Sequence, residues 1–104
     1  MFEAYLRQDR ASAEDLVADD FVFTSPQDDH IDRGAYFERC FPTTYRLRRQ
    51  DLLHVTPAGD CDVDVFVMYE YELLDGSVHR NVELITVIDG TVREVQVFFG
   101  GSYA

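Results

Sequence analysis

Three groups of residues in this chain carry side chains that can move protons or hold a ligand. Tyr69, Tyr71, Arg80 and Thr86 fall on two neighbouring runs and, by the register worked out below, on one face. Hydroxyls around a guanidinium can orient a carbonyl- or carboxylate-bearing molecule, with Arg80 as counter-ion. The plainer alternative is that Arg80 stacks on Tyr71 across the strands at a wet sheet end. Asp28, Asp29 and His30 form a second group, an acidic pair beside an imidazole. That pattern suits a general base with its orienter, or two metal ligands; the alternative is a solvated loop whose aspartates make turn bonds. Glu70, Asn81, Glu83 and Gln96 are the third. Two glutamates close together in a dry site push one pKa upward, as acid–base sites require, whereas on an outer face the four would be a polar network at a dimer interface. His54 and His79 read as surface or satisfied residues.

Residues 61–99 position most of these groups. Asp75-Gly76 and Asp89-Gly90 are dipeptides favoured in two-residue type I′ hairpin turns, and Val, Ile, Tyr and Phe fill the runs beside them, as strands prefer. Three antiparallel strands are therefore expected. Pairing Leu74 with Ser77 sets Tyr71 opposite Arg80 and Tyr69 opposite Val82; pairing Ile88 with Thr91 sets Leu84 opposite Val95 and Val82 opposite Val97. Cross-strand partners share a face. One face then carries Val67, Tyr69, Tyr71, Arg80, Val82, Leu84, Thr86, Val95, Val97 and Phe99; the other carries Phe66, Met68, Glu70, Asn81, Glu83, Ile85, Glu94, Gln96 and Phe98. The first suits a core or cavity, the second a subunit contact. A register slip of one would move Glu70, Asn81, Glu83 and Gln96 to the cavity side.

Composition narrows the function. A formal charge of −11 over 104 residues disfavours DNA, RNA and anionic membrane surfaces as partners. No apolar run approaches the ~18 residues of a transmembrane helix, and no secretory leader is evident at Met1, so a cytoplasmic location is expected. Every basic residue is arginine, and the absence of lysine excludes Schiff-base and pyridoxal-phosphate chemistry. Cys40 and Cys61 are too few for a zinc motif and read as reduced thiols, one disulfide being the alternative. No Gly-rich phosphate loop is present. No cofactor and no metal are expected.

Taken in order, residues 1–9 are weakly helical, Ser12 is a candidate N-cap for a helix over 13–18, and FVFTS (21–25) is a strand that Pro26 ends. Asp32 caps a helix from Arg33 to about Phe41, with Tyr36, Phe37 and Cys40 on its buried side and Pro42 stopping it. Residues 44–57 read as one strand or a broken pair, its arginines making a charged edge that resists strand addition. Helices first, then a meander of long strands, is an α+β order.

The run ADDFVFTSPQDDHIDRGAYFERCFP and the closing VIDGTVREVQVFFG, in this order, resemble the nuclear transport factor 2-like superfamily, most closely its SnoaL-like group. The resemblance covers nearly the whole chain and implies a single domain over 1–104. It implies a cone, a curved antiparallel sheet packed on N-terminal helices around a pocket, commonly in a homodimer joined through sheet surfaces. Relatives include ketosteroid isomerase, limonene-epoxide hydrolase, scytalone dehydratase, polyketide cyclases and non-catalytic binding domains. Residue by residue, the isomerase's catalytic aspartate falls on Ser25, its second aspartate near Leu84, and its first-helix tyrosine at or before Met1; the hydrolase's water-activating aspartate falls on Val97. A hydroxyl cannot shuttle a proton near neutrality as a carboxylate can. The expected ligand-binding set is therefore Ser25, Tyr69, Tyr71, Arg80, Leu84, Thr86, Val97 and Phe99, with Asp29 or His30, at the family's pocket mouth, as the base. Two functions stand side by side: a cofactor-free acid–base enzyme of the cyclase, isomerase, dehydratase or hydrolase type acting on a small organic molecule, and a non-catalytic ligand-binding or protein-interaction domain.

Overall fold

A computed structural model describes residues 7–58 and 63–103. Its frame is one six-stranded sheet in the order β2-β1-β6-β5-β4-β3. In chain order the elements are α1 (Arg10–Leu16), β1 (Val17–Thr24), β2 (Ile31–Asp32), α2 (Arg33–Ala35), β3 (Leu47–Pro57), β4 (Asp64–Leu73), β5 (Val78–Ile88) and β6 (Thr91–Tyr103). The α+β expectation holds, with one difference: β1 pairs parallel to β6, so the sheet is mixed. Cys61 and the first six residues lie outside the described residues.

Local chemistry explains the boundaries. Asp9, not Ser12, caps α1: its carboxylate accepts from the Ser12 amide at 3.2 Å and from the Ser12 hydroxyl at 2.7 Å. The helix therefore starts earlier than expected and gives way to strand at Val17, a β-branched residue that favours the extended chain. Asp32 caps α2 as expected, accepting from the Ala35 amide at 2.9 Å. Beyond Ala35 the coil widens to a π-helix over Tyr36–Cys40, then tightens to a 3-10 helix over Phe41–Arg46 that runs through Pro42.

The two hairpins differ, and the difference decides what faces inward. Asp89 and Gly90 both have positive φ (53° and 80°), and Ile88 pairs with Thr91, the expected type I′ turn. At the other turn only Gly76 is positive (φ 88°). Gly76 N–H bonds Leu73 O at 2.9 Å and Leu73 N–H bonds Ser77 O at 2.9 Å, leaving a three-residue loop. The β4–β5 register is thus shifted by one: Tyr69 pairs with Asn81, Met68 with Val82 and Tyr71 with His79. A bulge between the Val87–Val92 and Thr86–Glu94 pairs shifts β5–β6 by one as well. The two shifts cancel between β4 and β6. Only β5 turns over.

The inner face therefore holds Val67, Tyr69, Ile85, Val95 and Val97, with Val17 and Phe21 of β1, packed with Ala13, Tyr36, Phe37 and Phe41 from the helical side. Tyr36 lies at the centre of an aromatic cluster, its ring 5.1 Å from Phe21, 4.9 Å from Phe23 and 5.1 Å from Phe37. Phe37 also lies beneath two guanidinium groups, Arg10 and Arg33, at 5.5 and 5.3 Å. Arg33 ties α2 to α1 through a 3.0 Å bond to Glu14 O. Among the described residues, no helix is long and apolar enough to cross a membrane.

A candidate ligand cavity built around Glu83

Between the inner sheet face and the helical side lies a cavity of about 440 Å³. Tyr69 and Tyr71 of β4, His79, Asn81 and Glu83 of β5, and Val95, Val97 and Phe99 of β6 form its sheet wall. Phe23 of β1 extends that wall, and Ser25, Asp28, Tyr36, Arg39 and Cys40 line the cavity from the loop and helical side. The volume suits a small organic molecule.

The polar groups of the sheet wall are chained together. Asn81, buried at 6 % exposure, donates from its side-chain amide to the Tyr69 hydroxyl at 3.2 Å. Tyr69 in turn donates to Glu83 Oε1 at 2.9 Å. Burial raises the Glu83 carboxyl to about 7, and the Tyr69 bond only partly offsets this by favouring the charged form. Burial, followed by the Glu83 charge, pushes the Tyr69 phenol far above its ordinary range, so it stays a donor. Tyr71, also raised by burial, stacks on His79 at 5.1 Å with the rings 15° apart.

The loop and helical side carries a smaller cluster. Cys40 Sγ donates to Asp28 Oδ2 at 3.6 Å, and Arg39 pairs with Asp28 at 3.4 Å. Burial, and then the Asp28 charge, raise the Cys40 thiol to about 11, so it is a neutral thiol and a poor nucleophile. The π-helical stretch carries Tyr36, Arg39 and Cys40 to the cavity; such widened turns recur at functional sites.

Several expected positions need correction. Asp29 and His30 do not reach the cavity: their side chains are 84 % and 69 % exposed and bond each other at 2.6 Å. The loop folds them outward because Ser25 and Asp28 close a tight turn through paired backbone bonds of 2.7 and 3.2 Å, which leaves the next two residues outside it. Arg80, Leu84 and Thr86 lie on the outer face, since β5 is turned over. Arg80 pairs there with Glu70 at 2.9 Å, and Thr86 donates to Asp64 at 2.6 Å. Glu70 and Gln96 are outer-face residues too, Glu70 held below its ordinary carboxyl range by Arg80 and then Arg49. Of that group of four, only Asn81 and Glu83 are on the cavity wall. Ser25, Tyr69, Tyr71, Val97 and Phe99 line it, although the Ser25 hydroxyl is occupied accepting from the Gln27 and Asp28 amides. Among the described residues, no three His, Cys, Asp or Glu side chains converge as a metal site.

Sequence reasoning passed over His79, Cys40 and Arg39 as cavity residues. A signal for His79 was present: once the Asp75-Gly76 loop is read as three residues, His79 shares a face with Asn81 and Glu83.

No protein-family model matches the chain, and no curated protein matches it. Solved structures do. An NTF2-like protein of unknown function from Mesorhizobium loti is 25 % identical, with a TM-score of 0.71 over 95 % of this chain and 84 % of that one. The chain has the nuclear transport factor 2-like fold. A computationally designed 17-OHP binder shares this NTF2-like arrangement at 18 % identity, with a TM-score of 0.72 over 93 % of this chain and 85 % of that one. A protein from Xanthomonas campestris, provisionally named a polyketide cyclase, is 20 % identical with a TM-score of 0.64, covering 94 % of this chain and 83 % of that one.

Proposed function

We propose that this NTF2-like chain, of the SnoaL-like kind, binds a small, mostly apolar organic molecule in the cavity and performs cofactor-free acid–base chemistry on it through Glu83. The observation that carries the reading is the Glu83 carboxyl on the cavity wall, raised by burial to about 7 and held by Tyr69 at 2.9 Å. A carboxyl poised near neutrality can both take and return a proton, which is the requirement of isomerisation, cyclisation and dehydration alike. Tyr69, anchored by Asn81, stabilises the anionic form once Glu83 has lost its proton. Val95, Val97 and Phe23 supply apolar wall for the ligand's body. Asp29 and His30 take no part.

The second reading is a non-catalytic binding domain. It draws support from Ser25 standing where a relative's base would be, and from the designed binder, in which the same fold is used to hold a ligand. Glu83→Gln separates the two. With a substrate found by screening carbonyl and enol compounds, the enzyme reading expects a kcat loss of roughly 10²–10⁴-fold with binding little changed. If ligands bind but no compound turns over in the wild type, the chain is a binder.

A homodimer through the outer sheet face and a cytoplasmic location belong to the same proposal. Phe66 and Phe98, 39 % and 54 % exposed, sit on that face beside Met68, Val82 and Leu84. Sedimentation should give twice the 12.0 kDa chain mass, and Phe98→Glu should return it to a single chain.

A further inference from the structure

His79 stands in a hydrogen-bonded line that fixes which of its nitrogens carries the proton. Ser77 Oγ lies 2.6 Å from Asp75 Oδ1, and the Ser77 amide donates to the same oxygen at 2.9 Å. Those bonds, Ser77's hydroxyl first, hold the Asp75 carboxyl below its ordinary range, so it is an acceptor only. The Ser77 hydroxyl proton therefore points at Asp75. Its oxygen is left to accept, and its neighbour at 3.1 Å is His79 Nε2. His79 must then carry its proton on Nε2, and the neutral ring leaves Nδ1 bare. Among the described residues nothing hydrogen-bonds Nδ1. Stacking on Tyr71 fixes the plane of the ring, and the residue lines the cavity.

We infer that His79 is a second polar contact for the cavity's ligand, a hydrogen-bond acceptor locked into one tautomer by Ser77 and Asp75, selecting molecules with a hydroxyl or N–H donor at that end. The inference rests on the cavity being a ligand site. Glu83 lies four residues on from His79 on the same face, about 13 Å between their Cα atoms. The substrate class is thereby narrowed to an elongated molecule with polar groups at both ends: a donor for His79 and a proton-exchanging group for Glu83.

Nitrogen-15 imidazole spectra of the free protein at pH 8.5 test the lock without any ligand. His79 should show a protonated Nε2 and a bare, pyridine-type Nδ1, and Ser77→Ala should lose this single-tautomer pattern. A protonated Nδ1 in the wild type, or an unchanged pattern in Ser77→Ala, overturns the assignment. Titration with 2-naphthol then tests the contact, with 2-methoxynaphthalene as the donor-less control. Both compounds should shift the Val95 and Val97 methyl signals, and 2-naphthol alone should move His79 Nδ1 upfield. If the methyls shift and Nδ1 does not respond to 2-naphthol, the His79 contact is overturned while the ligand cavity stands. If neither compound moves any of these signals, both are overturned.

Discussion

The Tyr69 hydroxyl lies 2.9 Å from Glu83 Oε1 and itself receives a 3.2 Å bond from Asn81. Each member depends on the next: the tyrosine orients the carboxyl, and the amide spends one of its donors on the tyrosine. Tyr69→Phe leaves a buried amide and a partly buried carboxylate short of a partner each. It should cost about 1–3 kcal/mol at pH 8 and move the Glu83 titration further up, since the lost bond favoured the charged form. Urea unfolding and a carbon-13 carboxyl titration of the variant check both effects.

Glu83 also makes stability depend on pH in a stated direction. Its ordinary value of 4.5 applies to the unfolded chain, and the folded value is about 7. The folded state therefore binds the extra proton between those limits, and stability falls as pH rises through that window. The amplitude is about 3 kcal/mol, at ~1.4 kcal/mol per pKa unit. Glu83→Gln should lose this slope, narrowing its difference in urea-unfolding free energy between pH 4.5 and pH 8 by that amount relative to wild type. Glu70 and Asp75, whose carboxyls are held low by their partners, act with the opposite sign and below that window, where acid removes what they contribute.

Much of this arrangement is legible from residue types. The Asp89-Gly90 turn, the Asp32 cap and the burial of Tyr36 and Phe37 follow from local rules, and the structure agrees with each. The face of β5 does not follow. Asp75-Gly76 suits a two-residue loop with both φ positive or a three-residue loop with only the glycine positive. A contact distant in sequence accompanies the second, Leu74 N–H bonding Arg46 O at 2.8 Å, beside the local bond by which Asp75 holds Ser77. One residue of register moves Asn81 and Glu83 inward and Arg80, Leu84 and Thr86 outward. The bulge opposite Val87 then restores β6, which is why Val97 and Phe99 were placed on the correct face by a register that was wrong on both sides of β5. The acidic pair beside His30 misled for a different reason: its charge pattern resembles a site, but the Ser25–Asp28 turn leaves it in water.

Gly100 is a close-approach position. A Cβ there would collide with the backbone carbonyl oxygen of Arg80, which cannot move without disturbing β5. Gly100→Ala should therefore destabilise by about 1–3 kcal/mol or more. Gly34→Ala is the contrast, its nearest atom being Asp32 Oδ1 at an ordinary 3.6 Å. It should be neutral or stabilising by up to about 1 kcal/mol, through lost freedom in the unfolded chain. Thermal melts of the two variants side by side give the comparison.

Phe37 joins the two helical segments to the sheet and is only 1 % exposed, between Tyr36 and Phe41 and beneath two arginines. Phe37→Ala should cost about 3–5 kcal/mol. Phe98→Ala, on the half-exposed outer face, should cost the isolated chain much less. Denaturant midpoints at micromolar and nanomolar protein separate this intrinsic cost from any loss of self-association.

The proton affinity of Glu83 is the quantity on which the account turns, and it is read directly from the pH dependence of its side-chain carboxyl carbon-13 shift, with Glu70 as an internal reference. The account predicts a Glu83 midpoint near 7, and a Glu70 midpoint below the usual glutamate range. A Glu83 midpoint near 4.5, that of a carboxyl in free exchange with water, would contradict it and leave the cavity without its acid–base group.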